Sequence, residues 1–302
     1  MAGNEASARD MMTTREVAAY LRIKERKVYD LVKSGRIPCT RVTGKWLFPK
    51  GLIDDWLASN AGPLSPAARD VRPPPVIAGS HDPLLEWCLG QSGSGLAMLP
   101  GGSRDGLARL AAGEAAICGL HLRDPATGEY NLAAVRDGLA GLGVVVVEWA
   151  WREQGLVLAP GNPLGIAVLG DLAARGARVA RRQDGAGSQL LLVHLLAEAG
   201  LAPADLDLLP EPARSETELG LAVLEGKADA GLAVAAVARR LRLDFVALHR
   251  ERYDLAMRRR DYFEAPFQEL LAFARSAAFT VRAAELGGYD CSGLGRIVYN
   301  AP

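Results

Sequence analysis

TTREVAAYLRIKERKVYDLVKSGRIPCTRVTGKWLFP, Thr13 to Pro49, settles what the N-terminal part of the chain folds into. Thr13 and Glu16 stand three apart ahead of an apolar pattern, the spacing of a capping box. Val17, Ala18 and Leu21 follow at helical intervals and predict a short helix over about Thr14 to Leu21. Arg22-Ile23-Lys24 reads as a tight connection. A second helix is predicted from Glu25 to Lys33, with Val28, Leu31 and Val32 as its buried stripe. Ser34-Gly35 ends it, because glycine takes a left-handed cap at no steric cost. Two helices joined by so short a turn make a helix-turn-helix. Beyond them CTRVTGKWLF alternates around Thr43-Gly44, as a β-hairpin wing does. On this reading Val42, Trp46 and Phe48 face one side, and Arg41, Lys45 and Leu47 the other. GLIDDWL, Gly51 to Leu57, is a closing amphipathic helix.

Charge separates this head from the rest of the chain. Residues 1–60 hold 11 Lys and Arg against 7 Asp and Glu, while the 302-residue chain as a whole is neutral, with 35 of each. A basic head on an acidic body suits contact with nucleic acid. The hydrophobic content of 49% is ample for ordinary cores. The four cysteines, Cys39, Cys88, Cys118 and Cys291, show no CxxC pair and no metal-type spacing, so free thiols in a reducing compartment are expected. Cys88 and Cys118 sit among apolar residues and read as core. Residues 1–10 read as a disordered, polar N-terminus without a secretory apolar run. No stretch reaches the roughly 18–20 apolar residues that span a bilayer. A soluble, cytoplasmic protein is expected.

ASNAGPLSPAARDVRPPP, Ala58 to Pro75, lacks apolar periodicity and holds five prolines, as a semi-extended linker would. From Val76 onward, apolar strand candidates alternate with helical patterns. The strands are PVIAGS, LAMLP, AAICGLH, VVVVEW, GLVLAP, ARVARR, ADAGLAV, FVALHRE and YDLAMRR. Such alternation predicts an α/β body with a mostly parallel sheet and helices on both faces. LARLAAGEAAICGLH and LAVLEGKADAGLAV both read as a helix, a glycine stop and a buried strand. That echo fits two similar lobes, and equally the ordinary habit of an α/β unit.

The head, over residues 11–58, resembles the excisionase-like, MerR-type winged helix-turn-helix family through TTREVAAYL, IKERKVYDLVKSGRIP, RVTGKWLF and IDDWL. The resemblance implies that the second helix enters the major groove of DNA while the wing lies along the phosphates. Arg26, Lys27 and Tyr29 are then the groove candidates, Lys33 a phosphate contact, and Arg41 and Lys45 the wing contacts. Where that family usually caps the second helix with serine, this chain has Lys24. The body resembles the type II periplasmic-binding-protein superfamily. More closely it resembles the intracellular domain found behind helix-turn-helix heads and on molybdopterin-biosynthesis proteins. The motifs are GSHDPLLEW, AAICGLHLRDPATGEYN, WREQGLVLAPGNP, RRQDGAGSQLLL, GKADAGLAV, ERYDL and LGGYD. This implies two lobes behind a linker at 59–75: lobe one over 76–152 and 250–302, lobe two over 153–249, closing on a ligand.

Ligands of such folds sit at strand ends and helix N-termini, where free N–H groups favour anions. RRQDGAGSQLLL, Arg181 to Leu192, has that form. Arg182 offers a charged fork, Gly185 and Gly187 let backbone N–H groups approach, and Ser188 adds a hydroxyl. It looks like the Arg-containing anion loop of tungstate-binding periplasmic proteins, with Arg182 and Ser188 at the places of their Arg and Thr. GSHDPLLEW supplies Ser80 and His81, with Asp82 as helix N-cap and Pro83 in the first turn. His121 closes a buried strand and is either a ligand contact or a core group. Tyr253 either reaches the ligand or packs the hinge. These residues suit a small anion, molybdate or tungstate first, with a small carboxylate or pterin-like compound as the alternative. No metal or other cofactor is expected. Nothing supplies a nucleophile elbow, a His/Cys metal spacing or a Walker loop, so no catalysis is expected. The whole reads as a one-component regulator, a homodimer on paired half-sites, with an architectural DNA binder as the alternative.

Overall fold

In the computed structural model, which describes residues 11–60 and 72–301, Thr13 Oγ1 accepts the Glu16 N–H at 3.3 Å and Glu16 returns the bond to the Thr13 N–H at 2.8 Å. That capping box opens α1, Thr14–Tyr20, which is followed by α2, Glu25–Lys33. Between them the Ile23 N–H reaches the Ala18 carbonyl and the Arg22 N–H the Ala19 carbonyl, with Arg22 at φ 54°. This is a Schellman turn, built here on arginine where glycine is usual. Lys24 caps α2 without any side-chain bond. The wing strands are β2, Thr40–Val42, and β3, Lys45–Pro49; a third strand, β1, Met11–Thr13, pairs with β3. The closing helix α3, Lys50–Asn60, runs two residues into the expected linker. Val17, Ala18, Val28, Ile37, Phe48 and Ile53 form the head's core.

The wing corrects one expectation. Thr43 and Gly44 both take positive φ, so the hairpin turns on two residues and Val42 lies opposite Lys45, Arg41 opposite Trp46. Cross-strand partners share a face, so Arg41 joins Trp46 and Phe48, while Val42 joins Lys45 and Leu47. The Arg41 guanidinium lies 5.4 Å from the Trp46 ring centroid. Arg41 and Lys45 therefore leave the wing on opposite faces.

Residues 1–10 and 61–71, where disorder and most of the linker were expected, lie outside the described residues. The head lies within residues 1–69 and the body within 70–302. The body begins with β4 Val76–Gly79, α4 Pro83–Ser92, β5 Ala97–Pro100, α5 Ser103–Ala112, β6 Ile117–Leu120 and α6 Leu132–Gly138. Then come β7 Val144–Leu158, α7 Leu169–Ala174, β8 Arg178–Ala180, α8 Gly187–Glu198, β9 Asp207–Leu208, α9 Glu216–Leu224, β10 Ala230–Val234 and α10 Ala235–Leu241. It ends with β11 Asp244–Arg258, α11 Arg259–Tyr262, α12 Ala265–Ala274, α13 Ala277–Leu286, β12 Tyr289–Asp290 and β13 Ile297–Asn300.

Two features differ from the sequence reading. VVVVEW and GLVLAP are one 15-residue strand, β7, and FVALHRE and YDLAMRR are another, β11. At about 3.3 Å per residue each is roughly 50 Å long, enough to run through both lobes. The sheet is also mixed, in the order β5-β4-β6-β11-β7-β10-β8-β9. Parallel pairing holds β4 to β5 and β6, and β8 to β9 and β10, whereas β7 and β11 run antiparallel to each other and to their neighbours. The reason is topological: the chain crosses between lobes once in each direction. Smaller cores lie around Leu110 and Cys118 in one lobe and Leu172 and Leu196 in the other, while the largest runs through both, from Ile77 and Leu84 to Leu219 and Val237. Cys88 and Cys118 are fully buried. Among the described residues no helix is long and apolar enough to cross a membrane.

Candidate functional site

The C-terminal ends of the parallel strands in both lobes face one seam, the place where such sheets hold ligands. From lobe one come Ser80, His81 and Asp82 after β4, Ser103 after β5, and His121 after β6, all buried. From lobe two come Arg182 after β8, Ser188 in the first turn of α8, and Glu216 at the start of α9. Between them β7 and β11 present one face of paired residues, Arg152 opposite Glu251 and Ala150 opposite Tyr253, with Gln154 next along.

Charge pairing organises this floor. Arg152 donates from Nε to Glu251 Oε1 at 3.0 Å and from Nη1 to Asp82 Oδ2 at 3.0 Å, and its Nη2 also meets Glu251. Its guanidinium stacks 4.4 Å from the Tyr253 ring centroid. His121 Nδ1 lies 2.6 Å from Glu251 Oε2. Burial pushes the Glu251 carboxyl up, but the charges of His121 and Arg152 outweigh it and hold the group down at about 2. Asp82 keeps its expected capping role, accepting the Leu85 N–H at 2.7 Å, and Tyr289 Oη donates to its other oxygen at 2.8 Å.

The lobes touch across the seam. The His121 ring packs on Gly187 so closely that a Cβ there would lie 2.7 Å from Nε2. Gln183 Nε2 donates to the Gly101 carbonyl at 3.2 Å, and Gly185 contributes its carbonyl to the Arg104 N–H at 3.5 Å. A cavity of about 760 Å³ opens beside this contact, lined by Pro100, Gly101, Gln183, Glu211 and Arg214.

The expected ligand residues therefore divide. Ser80 meets His121 through Ser103 in lobe one and the His121 ring meets Gly187 of lobe two, while Arg182 and Ser188 are buried on the strand-end side of lobe two. Arg182 Nη1 donates to the Ala213 carbonyl at 2.7 Å while its Nε and the Ser188 hydroxyl have no partner. Burial lowers the Arg182 pKa, with Glu216 and Glu218 pulling the other way. His81 turns its Nε2 toward Glu86, 3.3 Å away on α4. The Tyr253 hydroxyl is occupied by the Ser80 carbonyl at 2.5 Å, so this residue braces the floor. Ser103 was missed by the sequence reading; its Oγ lies 2.7 Å from Ser80 Oγ and accepts the His121 N–H at 3.3 Å. Arg152, Gln154, Glu216 and Glu251 were missed too. For Arg152, Gln154 and Glu251 the signal was present, in the polar interruptions WREQ and HRER of otherwise apolar strands.

In the head, Arg26, Tyr29 and Lys33 are exposed and fall at helical spacing on the face of α2 opposite buried Val28, with exposed Lys27 on the flank.

Residues 89–275 match the PBP superfamily domain, and residues 11–61 match a helix-turn-helix domain. The chain belongs to the PBP superfamily. Among its relatives, the uncharacterized protein YvgK of Bacillus subtilis (strain 168) is 26% identical, covering 98% of this chain and 99% of that one. An uncharacterized Clostridium pasteurianum protein, from the 5′ region of a ferredoxin 2Fe-2S gene, is 29% identical over 33% of this chain and 88% of its own length. Peb3 from Campylobacter jejuni is a similar solved structure at 16% identity and a TM-score of 0.48, covering 71% of this chain and 98% of that one.

One more buried group of this PBP-superfamily body has a measurable consequence. Asp254 lies opposite Glu148 across β11 and β7 and accepts bonds from Asn131 at 2.7 Å and Arg252 at 3.0 Å. Burial pushes its carboxyl up to about 6, against the pull of Arg252. The folded state thus holds this proton more tightly than the unfolded chain, so its contribution is full below about pH 4 and drains away as pH rises to 6. Asp254→Asn is expected to raise Tm at pH 7.5 by a few degrees and to remove this decline. A Tm at pH 7.5 no higher than that of the parent would count against it.

Proposed function

We propose that this protein is a one-component transcriptional regulator, in which a small anion-bearing effector held between the lobes changes how the head occupies DNA. The observation that carries the reading is the union, in one chain, of a helix-turn-helix with a basic solvent face and a two-lobed body with buried, unpartnered hydrogen-bonding groups at its seam. The excisionase/MerR-like docking of α2 in the major groove, with the wing on phosphate, belongs to this proposal, as do a homodimer and the lack of catalysis. Arg182, Ser188, Ser80, Ser103 and the first-turn N–H groups of α8 support an anionic group on the effector. Molybdate and tungstate, to which the sequence resemblance points, are the simplest such anions to try, with small carboxylates and pterins beside them. An effector acts by its differential affinity for the closed lobes, and couplings of this kind are typically ~5–150-fold.

The test uses the full chain. Duplexes are selected from a random-sequence pool, and their Kd is measured with and without molybdate, tungstate, sulfate, formate, amino acids and pterins. A change of about fivefold or more with one of them is expected. Unchanged Kd with all of them, together with an unmoved Tm, would leave an architectural DNA binder.

A further inference from the structure

We infer that two copies of this chain pair through the end of lobe one remote from the seam, each inserting its Phe263 ring into a cavity of the other. This names the interface of the homodimer in the reading above and rests on that homodimer. The strand order fixes where the cavity lies. Pro75, Leu96 and Ala116 stand just ahead of β4, β5 and β6, at the N-terminal ends of strands whose other ends face the seam. β11 runs antiparallel to β6, so its last residues return to that end, Met257 pairing with Ile117, and deliver α11 and the start of α12 beside it. These segments surround a cavity of about 360 Å³ whose apolar lining includes Pro75, Leu96, Ala116 and Phe267. An apolar cavity of about 150 Å³ is enough to hold a benzene ring.

The knob stands on the same short segment as the hole. Phe263, between α11 and α12, is 73% exposed, the most exposed of the large apolar side chains among the described residues. Its place is held from behind. The Phe263 N–H donates to the Arg260 carbonyl at 3.1 Å, its ring meets the Tyr262 ring edge-on at 5.1 Å, and Tyr262 packs on Phe267 at 5.3 Å. An aromatic row thus runs from the cavity wall out to a ring in water. A lone exposed apolar residue needs no explanation, but an aromatic anchor beside an apolar hole able to take it is what protein contacts are built on. The charges at the cavity favour a second copy as the occupant. Arg72 pairs with Glu264 at 3.6 Å and Arg260 with Asp261 at 3.3 Å, so the face carries no net charge to repel its own image. In a two-fold contact residue i meets j and j meets i. With knob and hole within a few residues of each other, an axis passing between them seats both rings at once. The same axis lets Arg72, whose side chain is 83% exposed, exchange its own Glu264 for that of its mate. A foreign partner would use the knob or the hole, whereas self-pairing uses both.

Sedimentation equilibrium of the full chain is the test. The wild-type chain is expected to dimerise, and Phe263→Ala to raise the dimer Kd at least about 100-fold, since two copies of an aromatic anchor are lost. Because that ring lies largely in water, its truncation leaves the core of the body intact. Ala116→Trp, which fills the cavity, is expected to weaken pairing by a similar factor. Mixing the two variants gives back one of the two insertions, the ring of one entering the open cavity of the other. The mixture is therefore expected to associate at least about tenfold more tightly than either variant alone. A mixture no tighter than its components would overturn the mutual insertion. A wild-type dimer whose Kd is the same with Phe263→Ala would overturn this interface and leave the homodimer standing. A wild-type chain that stays monomeric up to about 100 µM would overturn both and leave Phe263 to a partner of another kind. Should Ala116→Trp fail to fold, Phe263→Ala decides by itself.

Discussion

Arg152→Met is expected to lower the Tm of the body by roughly 10 °C. The side chain is fully buried, and removing it leaves Asp82 and Glu251 as carboxylates deprived of their shared guanidinium. Breaking a buried pair in this way typically costs ~3–5 kcal/mol, far more than the pair is worth against an apolar substitute, because the abandoned charges stay buried. For a body of this size each kcal/mol corresponds to about 2–4 °C. Lys227→Ala breaks an exposed pair with Glu225 and is expected to shift Tm by about 1 °C or less. The pH dependence gives a second reading of the same loss. In the parent the Glu251 carboxyl is held at about 2, so its stabilisation is present above pH 4.5 and lost as pH falls toward 2. Without Arg152 the Glu251 carboxylate takes up a proton more readily, and the gap between variant and parent narrows on acidification from pH 7 to 5. A gap that is constant with pH would mean that lost packing, not charge, accounts for the destabilisation.

The second large effect is expected in the head. Arg26→Ala combined with Lys33→Ala removes two cations from the exposed face of α2 and should weaken DNA binding about 100-fold near physiological salt. Lys33, the phosphate candidate, releases counterions on binding, so the slope of log K against log salt should flatten by about 1, while the loss of Arg26, a groove candidate, mainly costs affinity. Lys27→Ala, on the flank of that face, should cost only a fewfold. An affinity loss with an unaltered slope would move Lys33 off the phosphates, and no loss at all would move the DNA to another face of the head.

Much of this protein was legible before folding because much of it is local. The capping box at Thr13 and Glu16, the helix at Glu25–Lys33 and the alternation of strand and helix all follow from contacts a few residues apart. The wing shows how narrow that legibility is. Its strands and turn were read from alternation, but a two-residue turn pairs Val42 with Lys45, and the faces assigned to Arg41 and Val42 were reversed. The glycine-rich turn that opens α8 at Gly187 and Ser188 was legible too, since such a turn ahead of a helix is a local signature.

What one dimension concealed is the floor of the seam. Arg152 meets Asp82 across 70 residues and Glu251 across 99, and no periodicity reports partners so far apart. In the chain WREQ and HRER look like breaks between strands, because polar runs ordinarily turn toward water. In the folded body they are the centres of two continuous strands, since a charge can be buried when its counter-charge arrives from another strand. By itself the sequence determined which segments become helix or strand and which end of the molecule is basic, because backbone propensity and side-chain periodicity act over a turn or two. Only the tertiary structure decided which charges meet at the seam, as Arg152 meets Asp82 and Glu251, because that pairing exists only once distant segments are packed side by side.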